Sequence, residues 1–575
     1  MSAAKRLFSL IGLPAVLLLT LLPAGELRSQ PVPVGDLREE QFRLVQLLTG
    51  SPASVSFTDR PLWMGTYRTA LDSLQGYGDS WWAQPLATPQ REGPLNFSAG
   101  LWDPIYRQTA NSALPQGENN GAAWYGRGLT LELQGGAWIT SDWLTITLRP
   151  HLAWQGNSDF RVPRFIPNDE DGRPIYRAQI PDIDMPFRFG PEPFATLDWG
   201  ETSLRLHYRQ MEIGYGKESL WWGPAVRYPL IMSNNAASLP QLFLGTRSPL
   251  ALPLGLGDVE FRLMGAWPRD SDYHQRSATG GDRFLNGVHA AWSPSFAPGL
   301  SVGFSRLYYR HIPESGLRFS DYFEAVLPFQ IENRERILGG EDVRADNVES
   351  NQLASLFLRW IFRESGAEFY AEYMREDTNW DLRDFLMEPH NNRAYTVGMR
   401  KVLPSGRSGI DFFSLTAEIN SLVPGRVDEV RPQQFYYTHT PIRQGHTHRG
   451  EVLGAAIGPG SGSQYLGVDA YTPAGMAGFF LQRVEHNDFF HYEFYDEPGG
   501  GTGYKDIWRN WVQLRVGMKG HYRLGDFLLG GQLVWNKHFN YGRFGYGELD
   551  TDFERFEGTD IVNWHFQLEV RYLFQ

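Results

Sequence analysis

A two-residue rhythm constrains this chain more than any other feature. In its last segment Val562, Trp564, Phe566, Leu568, Val570, Tyr572 and Phe574 are apolar, while Asn563, His565, Gln567, Glu569 and Arg571 between them are polar. A helix would spread that pattern around its circumference, whereas a strand puts one set on each face. The alternation recurs at Val512, Leu514, Val516 and Met518, at Leu204, Leu206 and Tyr208, at Leu144, Ile146 and Leu148, and at Val259, Phe261 and Leu263. It runs from about residue 126 to the end and gives about sixteen to eighteen strands. A soluble sandwich uses shorter strands and buries their apolar face. A membrane barrel turns that face to lipid, keeps charge in the lumen and carries aromatic girdles. Charge is frequent on the polar faces here, and Trp138, Trp154, Trp267, Trp292, Trp360, Trp535 and Tyr572 sit at strand ends. The rhythm therefore predicts an all-β transmembrane antiparallel barrel. Tight turns are expected at Ser141-Asp142, Gly200-Glu201, Ser365-Gly366 and Gly525-Asp526, and outer loops over 156–193, 268–282, 311–349 and 421–448.

The N-terminal part reads differently. Lys5 and Arg6 precede an apolar run, Leu7 to Leu22, then small residues, which is the layout of a cleavable export signal with Ala24 or Ser29 as the last residue removed. A membrane anchor is the competing reading of that run. Residues 36–49 space their apolar side chains helically, with Asp36 as N-cap and Gly50 as stop, and a second helix is expected over 62–74. The expected organisation is a signal at 1–29, a helical periplasmic element and lead-in at 30–115, and a barrel at 116–575. Among 575 residues there is no cysteine, which excludes disulfide scaffolds, zinc ribbons, iron–sulfur clusters and thiol nucleophiles. The net charge of −12, with no long basic block, argues against nucleic acid. A mean hydropathy of −0.37 is too polar for a bundle of membrane helices.

Three stretches carry more than barrel pattern. They are Asn111 to Gly128 (NSALPQGENNGAAWYGRG), Gly214 to Pro224 (GYGKESLWWGP) with Leu230 to Ala236 (LIMSNNA), and Thr447 to Ser461 (THRGEVLGAAIGPGS). Together they resemble the capsule assembly Wzi family of bacterial outer-membrane proteins. That resemblance implies an 18-stranded barrel plugged at its periplasmic end by a small helical bundle, lectin-like and non-enzymatic, which organises capsular polysaccharide at the cell surface. The chain departs from the usual barrel ending, since Gln575 follows Phe574.

From the residues themselves, Trp221 and Trp222 beside Gly223-Pro224 offer flat faces for sugar rings, and Glu218, Asn234 and Asn235 offer hydroxyl partners. The opposing reading is that this segment packs a plug or an in-folded loop. Only six of the 53 basic residues are lysine, and the arginine fork suits uronates or phosphates on an acidic polysaccharide. Arg127, Arg205, Arg209, Arg359, Arg449 and Arg515 are the candidates, with an arginine cluster expected at the external mouth; lumen salt bridges are the alternative. The expected glycan site is therefore Arg127, Glu218, Trp221, Trp222, Asn234, Asn235, Arg449 and Glu451. His439, His446 and His448 near Glu451 fit no tight metal spacing, and Asn168 to Gly172 lacks the rest of a calcium-loop pattern. No cofactor, metal or catalytic residue is expected. The partners would be an acidic capsular or extracellular polysaccharide and outer-membrane lipid, with the chain acting as a monomer. A general diffusion porin and an outer-membrane hydrolase are the rival functions.

Overall fold

A computed structural model describes residues 30–574, apart from 52–54, 75–79, 85, 87–89, 93–96, 163–182, 275–280, 327–349, 377–385, 388–391, 424–435, 440, 487–510 and 542–559. The expected signal, the possible calcium loop at 168–172 and Gln575 lie outside the described residues. Among them, eighteen long strands, from Ser98–Asn111 to Ile561–Tyr572, pair antiparallel with their chain neighbours in one sheet. The last strand pairs back onto the first, Arg571 opposite Ile105 and His565 opposite Asn111. Closure leaves no row of unpaired N–H and C=O groups facing hydrocarbon, which is the condition for spanning a membrane with strands.

The outer face is apolar and the polar side chains of the strands turn inward, joined there by apolar wall residues such as Phe243, Leu307 and Phe412 that pack on the inserted segments. Leu206 is 43% exposed on the outer wall, while its neighbour Arg205 is fully buried in the lumen. Trp564, Phe566 and Leu568 likewise stand outside, and Asn563 and His565 inside. Turns between strands are short at one end of the barrel, as at Arg363–Ser365 and between Leu524 and Phe527, and long at the other.

Two irregularities differ from the sequence expectation. The segment expected as lead-in contains the first barrel strand, Ser98–Asn111, so the wall begins before residue 116. A bulge between Trp102 and Ile105 hides its rhythm: Pro104 has no N–H to give the ladder, and the break turns Asp103 into the lumen. Gly200-Glu201 is not a hairpin. It interrupts one strand, between Phe194–Asp198 and Thr202–Tyr208, opposite the break that Pro150 makes between Leu144–Leu148 and His151–Gln155. The hairpin falls at Arg209-Gln210, where Arg209 adopts a positive φ of 54°.

Two helices close the short-turn end from inside. The first, α1 (Leu37–Thr49), starts at the predicted Asp36, whose carboxylate accepts from the Arg38 N–H at 3.0 Å, and stops at Gly50 in the left-handed region. The second, α2, spans Met64–Leu71. Arg38, Glu39, Gln41, Arg43 and Gln46 are all buried, because α1 is surrounded by a polar wall rather than by water. Each finds a partner in the wall or within the plug, as Glu39 does in Arg60. Arg38 reaches Asp103 at 2.7 Å, Arg43 reaches Glu368 at 2.6 Å, Glu40 accepts from Arg400 at 2.9 Å, and Arg571 of the last strand reaches Asp36 at 3.0 Å. Trp82 packs edge-on against Phe412, and its indole N–H reaches Asp411 at 2.7 Å.

The wall and the plug each give an expectation. Leu466 is 52% exposed on the outer face; Leu466→Arg should destabilise the vesicle-inserted barrel by about 2–4 kcal/mol in denaturant titrations. Within the plug, burial raises the Glu39 carboxyl from 4.5 to about 7 and outweighs Arg60, 3.3 Å away. A carboxyl raised in the folded state keeps its proton on docking. Its contribution is thus full below about pH 4.5 and lost as pH rises through about 7. Hydrogen-exchange protection of α1 should fall over that window, and Glu39→Gln should flatten the dependence.

Candidate functional site

The other half of the lumen is filled by loops that fold inward, each tied to a wall side chain. In the segment 112–127, the Ala113 and Leu114 N–H groups donate to Asn563 Oδ1 at 2.8 and 3.1 Å. From the wall, Asn111 Nδ2 donates to the carbonyls of Gln116, Tyr125 and Gly126. Loop 219–238 turns three successive N–H groups, those of Val226, Arg227 and Tyr228, onto the buried Glu418 carboxylate. A third loop joins the second where Tyr437 Oη donates to the Leu230 carbonyl and accepts from the Ala455 N–H. The apolar parts of these loops, including Leu220, Trp222, Ile231 and Leu453, share one buried cluster.

Between the loops and the wall lies a chamber of about 270 Å³, close to the lower end of the ~300–1,000 Å³ of small-ligand clefts. Its lining is dominated by amides and guanidinium groups: Gln116, Asn119, Asn120, Gln482, Asn536 and Gln567 with Arg107, Arg227 and Arg515. Glu118 is its hub. The carboxylate is bound by Arg515 on the wall, by Arg227 from the second loop at 3.3 Å, and by the Tyr228 hydroxyl at 2.6 Å. Burial works to raise its pKa, but Arg515 and Arg227 override this and hold the carboxyl below the usual range. Tyr228, buried and facing that carboxylate, is pushed up to about 12. Three strands along the wall Arg107 reaches Glu569 at 2.7 Å, and Tyr125 of the loop donates to Glu132 at 2.6 Å.

A second cavity, of about 240 Å³, adjoins the chamber on the loop side, with Gln116, Gly117, Glu118 and Arg515 in the wall of both. Its other walls are aromatic. His486 stacks on Trp511 with ring centres 4.2 Å apart, and Tyr541 meets Trp511 edge-on at 5.0 Å. Phe160 and Phe187 complete the lining. Trp511 Nε1 donates to His538 Nδ1 at 3.1 Å.

The expected site residues do not converge on either cavity. Trp222 is fully buried with its ring 5.6 Å from that of His289, and Trp221 lies under the Arg60 guanidinium at 4.3 Å. The two pair as a short strand with Asp59–Arg60, so this segment joins the plug to the loops. Glu218 is held by Arg205 at 2.6 Å. Asn235 bridges the Asn119 N–H and the Val452 carbonyl, and the carbonyl of Asn234 accepts from Gly121. Arg449 reaches Asp198 at 2.7 Å, and Glu451 faces His448 across a two-residue ladder. Arg127 is at the loop end, where it bonds the carbonyls of Ser112 and Asp159. Of the other arginines, Arg515 reaches the chamber, but Arg359 lies beside the plug and Arg209 in a short turn. His446 and His448 bond the Ile231 carbonyl and the Arg269 N–H. Among the described residues no group of three or more His, Asp or Glu is placed to hold a metal. Glu118, Arg227, Trp511 and His538 were not singled out, because their roles come from pairings between distant loops and strands.

Comparison with known proteins gives a consistent assignment. The family described as capsule assembly protein Wzi matches residues 117–517. The solved structure of Wzi from Escherichia coli, described as a carbohydrate-binding β-barrel involved in group 1 capsule assembly, is 13% identical with a TM-score of 0.58. The alignment covers 95% of this chain and 99% of that one. OprD from Pseudomonas aeruginosa, 8% identical over 82% of this chain and 92% of its own, reaches a TM-score of 0.38, too low to carry an argument. No curated protein matches by sequence.

The hub can be tested directly. Glu118→Ala would leave Arg227 and Arg515 facing each other with no carboxylate between them. The expected cost is about 3–5 kcal/mol, felt locally, and hydrogen exchange should rise in 112–127 while the strands stay protected.

Proposed function

This chain belongs to the capsule assembly protein Wzi family, and from that membership we propose that it binds and organises capsular or extracellular polysaccharide at the surface of a Gram-negative cell, without chemically changing it. It is exported on a cleaved segment within 1–29 and inserted as a monomer in the outer membrane. Its helical element faces the periplasm, and the long-loop end faces outward, as short turns inside and long loops outside are the rule for such barrels.

The observation that carries this reading is the contrast between the two ends. The short-turn end is closed by charged pairs from α1 to the wall, while the long-loop end holds a donor-rich chamber beside an aromatic cleft. Such a molecule is built to hold something outside rather than to pass it, which disfavours the diffusion-porin alternative. The E. coli relative is described as carbohydrate-binding, in keeping with this. Of the eight residues expected from sequence, Arg127 bonds the Asp159 carbonyl, next to Phe160 of the cleft. A polymer with many identical repeats engages several copies of the protein, and avidity supplies the retention that one weak sugar site lacks.

The experiment is removal of the gene from an encapsulated strain. Polysaccharide synthesis should continue, with the polymer shifting from the cell pellet to the medium in a uronic acid and hexose assay. Undiminished cell-bound polymer would count against the proposal and leave the fold untouched.

A further inference from the structure

The aromatic cleft contains two buried hydrogen-bond donors with no acceptor among the described residues. The first is on His538, which is 3% exposed. Its Nδ1 accepts from the Trp511 indole, a group that only donates, so the proton of the neutral ring sits on Nε2. Nε2 is buried and without a partner. The second is Nε of Arg515, also buried and unpartnered, although both terminal nitrogens of the same guanidinium are bonded, to Glu118, Gln482 and Gln513. Both side chains line the cleft. Buried donors of this kind are costly unless an acceptor arrives.

Charge points the same way. Arg515 and Arg227 share the single Glu118 carboxylate, which leaves this group of three with a net positive charge. The remaining lining, with Trp511, Tyr541 and Phe160, gives flat apolar surface. A pyranose ring with a carboxylate combines the complementary features: C–H faces that stack on aromatic rings, and anionic acceptor oxygens on its edge.

We propose that this cleft seats one uronate ring of the polysaccharide, its apolar face against the Trp511–Tyr541 cluster and its carboxylate toward the His538 Nε2–H and the Arg515 guanidinium. The assignment rests on the polysaccharide-binding reading above and adds to it the site and the acidic class of the sugar.

The test uses the full processed chain in detergent micelles, titrated by calorimetry with a glucuronate-containing tetrasaccharide and with the same tetrasaccharide after reduction of its carboxyl groups. The acidic probe should bind saturably, and the reduced probe roughly tenfold or more weakly. Trp511→Ala and His538→Phe should each weaken binding by a similar factor, while Trp143→Phe, in an exposed turn at the other end, leaves it unchanged. Heat-sensitive migration on gels verifies that each variant remains a folded barrel. Equal binding of both probes, or wild-type affinity in both cleft variants, would overturn the inference. Polymer extracted from the encapsulated strain separates the two levels of failure. If it binds while the uronate tetrasaccharide does not, the cleft assignment falls and the polysaccharide reading stands; if neither binds, that reading falls as well.

Discussion

The interior of this barrel is crowded with charge and largely filled by its own chain, so each arginine in it must find an acceptor inside the protein. Burying an ion without a partner costs several kcal/mol. The solution recurs throughout the lumen: one carboxylate is shared between the wall and a segment inserted from elsewhere in the chain. Glu368 binds Arg359 of the wall and Arg43 of α1. Asp198 binds Lys217 of the wall and Arg449 of a loop, and Glu118 binds Arg515 of the wall and Arg227 of another loop. Those bonds, together with the apolar clusters that the inserted segments share with the wall, hold the plug and loops against the strands.

The same arrangement links packing to function. At the plug end Arg38 is bound by Asp36 and Asp103, and Arg571 by Asp36. Toward the loop end Arg515 and Arg227 share Glu118, and His538 Nε2 and Arg515 Nε have no partner among the described residues. Buried side-chain atoms without a partner also occur elsewhere in the lumen, as on Arg60 and Arg571, so the uronate proposal rests on the His538 and Arg515 donors belonging to side chains that line an aromatic cleft. Wall strands carry both His538 and Arg515.

Much of this was legible in the primary structure. The alternation of Val562 to Phe574 fixes a strand and its two faces, since the side-chain period of a strand is two and no tertiary contact changes that. Asp36 and Gly50 mark the ends of α1 through local backbone chemistry alone. The first strand escaped because the bulge at Asp103-Pro104 breaks its rhythm, and Gly200-Glu201 reads as a turn because a mid-strand break uses the same residue types as a hairpin. Trp221 and Trp222 read as a sugar platform, yet the structure packs them beneath Arg60 and beside His289. An indole that fills a lumen and one that meets a sugar look alike in sequence.

The sequence by itself determined the class of fold, the sorting of polar residues inward and apolar residues outward, and the helical element that precedes the barrel, because all three follow from periodicity and capping within short windows. Only the tertiary structure decided which arginine meets which carboxylate. Glu118 and Arg515 are separated by almost four hundred residues and are brought together by barrel closure and an in-folded loop. The charge left over at the outer cleft is a property of that pairing, so no local pattern in the chain could have encoded it legibly.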